Sequence, residues 1–195
     1  MQQRRPRELR IIAGRWRGRK LRFPAGTTIR PTPDRVRETL FNWLAPVLPG
    51  ARVLDPFAGS GALGLEALSR GAAFALLLDS DPLCVAALRE RFGEWQASGA
   101  EVRRADALEW LAAARPSATL PFDIVFLDPP FAAGLLERAC ARLESGAWLA
   151  PGARIYLETP ARDGLPPLPP NWELLRSGAA GEVGYHLARR TPDPP

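Results

Sequence analysis

Val53-Leu54-Asp55-Pro56-Phe57-Ala58-Gly59-Ser60-Gly61-Ala62-Leu63-Gly64 is the stretch that decides the fold. An apolar run leads into a glycine-rich turn and then into helix-favouring residues, which reads as buried strand, tight turn and helix. Glycines at the turn let the backbone bend sharply and let a ligand approach where a Cβ would intrude. As a bare pattern, Gly59 to Gly64 matches a dinucleotide fingerprint, and that match alone is weak. Asp55 separates the possibilities. A carboxylate at the carboxyl end of the strand would repel a pyrophosphate, whereas a ligand carrying an ammonium and a sulfonium and no phosphate suits an acidic, glycine-lined turn. S-adenosylmethionine has that chemistry and is the expected cofactor.

Working outward, the rhythm downstream is regular. Strands are expected over 51–54, 73–78, 101–104, 122–127 and 154–157, with helices over 60–69, 82–96, 107–114 and 135–143; Asp81 caps the second of these and Pro82 opens it. Such alternation implies a doubly wound, mostly parallel α/β sheet. Segments 172–176 and 183–188 alternate like an antiparallel pair that completes seven strands. The proline-rich 165–170 stretch reads as a rigid connector before that pair.

A second regularity is chemical. Asp55, Asp79, Asp106 and Asp128 each fall at or just past the carboxyl end of one of four successive strands, the edge at which open α/β sheets bind ligands. Asp79 is placed for ribose hydroxyls, and Asp106 with the Ala107 amide for an adenine ring. The expected cofactor set is Asp55, Phe57, Gly59, Ser60, Gly61, Asp79, Ser80, Asp106 and Ala107. Any one of these acids could be a helix cap; four in register make a crevice.

Asp128-Pro129-Pro130-Phe131 supplies the expected catalytic group. Two prolines fix the backbone and remove amide donors, leaving the Pro129 carbonyl and the Asp128 carboxyl as paired acceptors. An exocyclic purine amine is a poor nucleophile because its lone pair is delocalised. Two acceptors hold it facing a sulfonium methyl and favour its tetrahedral geometry in the transition state. Phe131 offers a face on which a base can stack.

The N-terminal fifth carries a different message. Residues 1–37 hold twelve Arg or Lys and two acids, whereas 38–195 hold fourteen basic and nineteen acidic side chains. From Arg10 onward Ile11, Trp16, Leu21 and Phe23 interrupt the charge, with Gly14 and Gly18 as turn residues, as in a short hairpin with a cationic face. Arginines interleaved with Trp16, which either stacks on a base or packs inside, suit a polyanion such as RNA. Arg10, Arg15, Arg17, Arg19, Lys20, Arg22, Arg30, Arg35 and Arg37 form the expected RNA-contacting set. Arg30 to Pro33 is held extended by its prolines. A helix follows with Asp34 as its cap and Val36, Leu40, Phe41 and Leu44 as its apolar stripe; Arg35 and Arg37 are read as leaving that stripe. The division is a basic extension over 1–45, a catalytic domain over 46–190 and a disordered tail over 191–195.

Composition narrows the rest. A chain of 195 residues fits one domain with a small appendage. Cys84 and Cys140 suggest neither a metal site nor a disulfide, and no apolar run is long enough for a membrane span; a cytoplasmic protein, without metal, is expected. Twenty-five arginines against the single Lys20 are read as genome bias. Carbon-5 pyrimidine methylation needs a cysteine nucleophile at the site, and neither cysteine falls at a strand end. His186, the lone histidine, is read as structural.

Longer strings permit a family reading. Arg10-Ile11-Ile12-Ala13-Gly14-Arg15-Trp16-Arg17-Gly18-Arg19-Lys20-Leu21, Arg30-Pro31-Thr32, Asp34-Arg35-Val36-Arg37-Glu38-Thr39-Leu40-Phe41-Asn42-Trp43-Leu44 and the segment from Phe57 to Arg70 closely resemble the RsmD family. That family comprises class I, Rossmann-like, S-adenosylmethionine-dependent enzymes that methylate N2 of one guanine in 16S ribosomal RNA. The resemblance spans about 10–190. It implies cofactor roles for Asp55, Phe57, Gly59, Gly61, Asp79 and Asp106, and a target-base role for Asp128 to Phe131. Asp79 departs from the family's usual Glu by one methylene, so Asp81 could share the ribose contact. Residue types leave guanine and adenine equal; the resemblance selects guanine. The implied partner is 16S rRNA; a small basic appendage is consistent with an assembled or partly assembled small subunit as the particle met, and a monomer is the default expectation. An amino-methyltransferase of DNA or another RNA, and a non-catalytic ribosome-assembly factor, are the alternatives.

Overall fold

The computed structural model describes residues 8–22, 32–113, 115–131 and 134–191. Strands β3 (Arg52–Asp55), β4 (Phe74–Asp79), β5 (Ala100–Arg104), β6 (Phe122–Leu127) and β7 (Leu149–Pro160) run parallel. The antiparallel pair β8 (Trp172–Ala180) and β9 (Val183–Arg190) joins through β9 to β7. The spatial order is β5-β4-β3-β6-β7-β9-β8. The chain therefore steps outward from β3 to β5, then restarts at β6 on the other side, and the order reverses between β3 and β6. At such a reversal the flanking crossovers diverge and open a crevice above the strand ends.

Period-2 alternation sorts the strand side chains into two layers. Val53, Ala75, Leu77, Ile124, Phe126 and Tyr156 pack on one face with helices α1 (Asp34–Leu44), α2 (Ala62–Ser69) and α3 (Pro82–Glu94). Leu54, Leu76, Leu78, Val125, Leu127, Ile155 and Leu157 pack on the other, with α4 (Ala107–Ala112) and α5 (Leu135–Ser145). Both faces are covered, which is why the central strands are almost continuously apolar.

The boundaries differ from the sequence expectations for local reasons. Helix α2 starts at Ala62 instead of Ser60 because Gly61 is left-handed, with φ 75°. Helix α3 ends at Glu94, and Gln96 beyond it has φ 48°. Strand β7 runs well past 154–157 at both ends because it pairs with β6 on one side and β9 on the other. Asp34 does not cap α1: Pro33 occupies the cap position, and the Asp34 carboxylate accepts instead from Arg37 Nη2 at 2.7 Å. Thr191, read as part of the tail, donates from its amide to the Asn171 carbonyl at 2.7 Å.

The basic N-terminal segment is built into the domain. Strands β1 (Glu8–Arg10) and β2 (Lys20–Arg22) pair antiparallel, and Leu9, Ile11, Trp16 and Leu21 are buried in the same cluster as α1 and α2. Its intervening loop is bonded to the end of α2. The Ser69 carbonyl accepts the Arg15 amide at 2.8 Å. The Ser69 hydroxyl accepts the Trp16 amide at 3.0 Å and donates to the Ala13 carbonyl at 2.6 Å. The fully buried Glu66 carboxylate accepts the Ile12 and Ala13 amides at 2.8 and 3.0 Å and Arg70 Nε at 2.6 Å. No helix among the described residues is long and apolar enough to cross a membrane.

Candidate active site

The glycine turn is held by the strands on either side of it. The Ala58 amide donates to the Leu78 carbonyl at 3.0 Å, the Gly59 amide to Asp79 Oδ2 at 2.8 Å, and the Gly64 amide to Asp55 Oδ2 at 3.2 Å. The acids at the ends of β3 and β4 thus fix the turn between them. Gly61 is favoured by its positive φ, and a Cβ there would lie 2.3 Å from Leu88 Cδ2 and force that side chain to shift. Ser60 Oγ accepts the Ala62 amide at 3.3 Å at the start of α2, and Phe57 is half-buried against the second apolar layer.

The other expected cofactor residues share this edge. Asp79 Oδ1 also accepts the Asp81 amide at 2.8 Å, and a carboxylate has lone pairs left for further donors. Asp81 caps α3 through the Leu83 amide. Asp106 caps α4, with Oδ1 accepting the Glu109 amide at 2.9 Å. Ala107 is the buried first residue of α4, and Ser80 is exposed.

Burial, against the opposing pull of the Gly64 and Phe57 amides and with the neighbouring Asp79 charge, pushes the Asp55 carboxyl up to about 7. Burial also raises Asp79. Crowded, desolvated carboxylates of this kind are stabilised in their ionised form by a cation and would oppose a pyrophosphate. The donor set therefore fits S-adenosylmethionine.

Asp128 lies at the end of β6, across the order reversal from Asp55. It is partly buried, Pro129 is buried, Pro130 is exposed, and Phe131 is 46% exposed at the mouth. Burial first, then Glu158 and Asp55, hold the Asp128 carboxyl well above the carboxylate range. Glu158, from β7, is a member of the site that the sequence reading missed. Leu127 pairs with Leu157, so Asp128 and Glu158 follow side by side. The strand expected over 154–157 stopped one residue short of a fifth acid in the same register as the other four.

The hairpin and α3 form a cationic face nearby. Arg10, Arg15, Arg17, Arg19, Lys20, Arg22 and Arg35 are exposed. Trp16 resolves as a packing residue, buried with its ring centroid 5.4 Å from that of Trp95. Arg15 lies 4.0 Å from the Trp16 ring, and Arg19 and Arg91 lie 5.4 and 5.7 Å from the Trp95 ring, so the aromatic pair carries arginines rather than meeting bases itself. Glu8 pairs with Lys20 at 3.3 Å and Arg22 at 3.9 Å. Beside the Gly59–Ser60 turn, Leu21 and Arg22 from β2 and Cys84, Leu88 and Arg91 from α3 line one small hollow. This places the cationic face at the border of the acidic crevice. Arg30 lies outside the described residues.

Arg37 is a correction. Its guanidinium is fully buried, donating to Asp34 and to the Arg10 carbonyl at 2.8 Å, with Glu66 at 3.6 Å. It cannot touch RNA. The signal was present in the sequence, because Arg37 precedes Leu40, Phe41 and Leu44 by three, four and seven residues and so lies on the apolar stripe. Cys84 and Cys140 are buried, each thiol pushed up to about 12, chiefly by burial. His186 is buried between the Ser177 and Thr159 hydroxyls. Among the described residues no cluster of His, Cys, Asp and Glu is arranged to hold a metal.

Comparison with known proteins identifies the family. A family model described as "Conserved hypothetical protein 95" matches residues 9–189. The ribosomal RNA small subunit methyltransferase D of Escherichia coli is 50% identical over 183 residues, covering 94% of this chain and 90% of that protein. The chain belongs to the RsmD family. The protein of the same name from Haemophilus influenzae is 45% identical over 92% of this chain and 93% of its own. Among solved structures, an Escherichia coli protein described as the putative methyltransferase yhhF superposes with a TM-score of 0.86 at 48% identity, covering 94% of this chain and 98% of that one. A 16S rRNA N2-guanine methyltransferase from Thermus thermophilus, solved with AdoMet and guanosine, superposes with a TM-score of 0.63 at 25% identity, covering 96% of this chain and 50% of that one. RsmD membership accounts for the mostly parallel, seven-stranded methyltransferase fold.

Proposed function

We propose that this chain transfers a methyl group from S-adenosylmethionine to the exocyclic N2 amine of a guanine in small-subunit (16S) ribosomal RNA, and that its substrate is an assembled or partly assembled subunit. The observation that carries this reading is the meeting, across one order reversal, of an acidic glycine-turn crevice with Asp128-Pro129-Pro130-Phe131. One half suits a cationic methyl donor and the other an amino group on a flat base. The names of the relatives at 50% and 45% identity support the ribosomal substrate, and the exposed cationic hairpin supports RNA as the polymer.

In this reading the donor supplies an electrophilic methyl carried on a sulfonium. Asp55, Asp79 and Asp106, with the turn at Phe57, Gly59, Ser60 and Gly61 and the flanking Ser80 and Ala107, bind and orient it. Asp128 and the Pro129 carbonyl accept the two amine hydrogens, which orients the nitrogen lone pair toward the methyl. Phe131, exposed at the mouth, stacks on the base, and Pro130 holds it there. Arg10, Arg15, Arg17, Arg19, Lys20, Arg22 and Arg35 contact phosphates, and the enzyme acts as a monomer.

The test is labelled methyl transfer to small subunits lacking the modification, beside protein-free rRNA and duplex DNA, with the product nucleoside identified by mass spectrometry. N2-methylguanosine from subunits, abolished in Asp128→Ala while cofactor affinity stays nearly intact, is the expected result. Cofactor affinity lost together with transfer in Asp128→Ala would contradict the division of roles.

A further inference from the structure

The fifth acid of the row has neighbours that the reading above leaves unused. Glu158 is buried, and its Oε1 accepts two hydroxyls, from Tyr156 at 2.7 Å and from Thr32 at 2.9 Å. Asp128 follows Leu127 on β6 as Glu158 follows its partner Leu157 on β7, so the two acids are neighbours in the register, and the Glu158 charge is, after burial, the first cause of the raised Asp128 carboxyl. Thr32 comes from the Arg30-Pro31-Thr32 string, lies 126 residues from Glu158, and is itself buried. Two desolvated carboxyls side by side do not both ionise, so the pair holds one proton. Glu158, already taking two hydroxyl donors, holds the negative charge; Asp128 is the donor of the pair.

We propose that Glu158 is the proton-accepting partner of Asp128 during methyl transfer, and that Thr32 and Tyr156 are positioning residues that keep it in that role. The proposal rests on the function given above. With its own proton directed to Glu158, Asp128 presents a bare oxygen to the substrate amine, as an asparagine carbonyl would. Transfer forms the N2–CH3 bond and breaks the CH3–S bond; sulfur keeps the electron pair and the nitrogen gains the positive charge. The nitrogen's excess proton passes to the free Asp128 oxygen as the Asp128 proton moves to Glu158. The pair thus goes from one proton and one negative charge to two protons and none. Its initial charge balances the sulfonium, and both disappear together, so no charge is stranded in the buried site. The extra proton leaves to water after the product does.

The groups facing this pair are Asp55 from β3, Tyr156 beside Glu158 on β7, and Tyr185 from β9. Burial and the Glu158 charge raise the Tyr156 hydroxyl well above its ordinary range, and saturation with the cationic donor keeps Asp55 ionised, so under those conditions the pair is what titrates. His186 on β9 is bonded elsewhere, to Ser177 and Thr159.

The experiment is single-turnover transfer to unmethylated small subunits at saturating S-adenosylmethionine, between about pH 5.5 and 9, with the wild type, Glu158→Gln and Tyr156→Phe; rates, cofactor affinity and melting temperature are recorded. The wild type should show a limb that rises with pH to a plateau. Glu158→Gln, which keeps the size and the hydroxyl acceptor of the original, should be slower by about 10²-fold with the limb gone and cofactor affinity unchanged. Tyr156→Phe removes a donor from the charged form and should displace the limb to higher pH. A Glu158→Gln enzyme with the wild-type rate and limb, or with a slower rate and an intact limb, would overturn the relay while leaving the function standing. A wild type that forms no N2-methylguanosine overturns both. Should Glu158→Gln fail to fold, an unshifted limb in Tyr156→Phe is enough to reject the proposal.

Discussion

Gly14 lies so close to Ser69 that a Cβ on it would sit 1.8 Å from the Ser69 carbonyl oxygen, and its φ of 82° is one that other residues avoid. The hairpin loop is therefore seated on the last residue of α2 with no room for a side chain. Gly14→Ala should destabilise the protein by about 2 kcal/mol or more, because strain and collision add. Urea denaturation measures it, and a midpoint equal to that of the wild type would show the loop free to lift away from the helix.

Arg37 and Glu66 define a second point of attachment. Both side chains are fully buried, 3.6 Å apart. Glu66 would keep Arg70 and the Ile12 and Ala13 amides, but the Arg10 carbonyl would lose its buried donor and a cavity would open, so Arg37→Ala should cost about 2 kcal/mol or more. Arg37→Lys should recover little, since an ammonium cannot span Asp34, the Arg10 carbonyl and Glu66 as a guanidinium does. Thermal melts of both variants check this; a near-native Arg37→Ala would return the residue to the surface role first expected of it.

If Asp55 lines the cofactor site as proposed, cofactor binding should depend on pH in a definite direction. Its carboxyl, raised from 3.8 to about 7, binds protons more tightly in the fold than in the unfolded chain. The free protein therefore loses stability as pH rises through that window. A cationic donor binds the ionised form, so affinity should rise with pH, by up to about tenfold per unit below 7, and level off above it. Calorimetry in buffers of different ionisation heat should record proton release on binding near pH 6, and Asp55→Asn should reduce both the slope and the release, with Asp79, also raised by burial, carrying what remains.

Arg15 and Arg17 separate RNA affinity from cofactor affinity. Both are exposed on the hairpin. Reversing both to Glu should weaken RNA binding at all sequences alike and flatten its salt dependence by about one unit per lost phosphate contact. Cofactor affinity, measured alongside, should not move. A parallel loss of both would mean that the substitutions disturb the fold at Ser69.

What the sequence disclosed and what it concealed divide along chemical lines. The glycine turn, the four strand-end aspartates and Asp128 to Phe131 were legible because each depends on neighbours in the chain: strand, turn and cap follow from short-range rules. Glu158 was not, because its meaning arises from the β6–β7 register and from Thr32, 126 residues away. Glu66 offered a faint signal as the one acid in α2, a helix buried at all eight residues, and a lone charge there must have found partners inside. Arg37 was misread because arginine is so common in this chain that its position on the apolar stripe carried less weight than its type. The hairpin was read as an appendage for the same reason: its charges announce themselves, whereas Ile11, Trp16 and Leu21 reveal their allegiance only once α2 is in place.

Helix α2 ends, at one terminus, in the turn that holds the methyl donor in the reading above and, at the other, in Ser69, on which the hairpin rests. Eight residues of helix make a rod of roughly 12 Å, buried along its whole length and clamped at both ends. A chain that grips RNA with its hairpin would then deliver methyl at a fixed reach from the grip. The helix acts as a caliper: the target nucleotide is chosen in part by how far it stands from the place where its own strand is held, and a base one step nearer or further would be out of range however well it fitted the crevice.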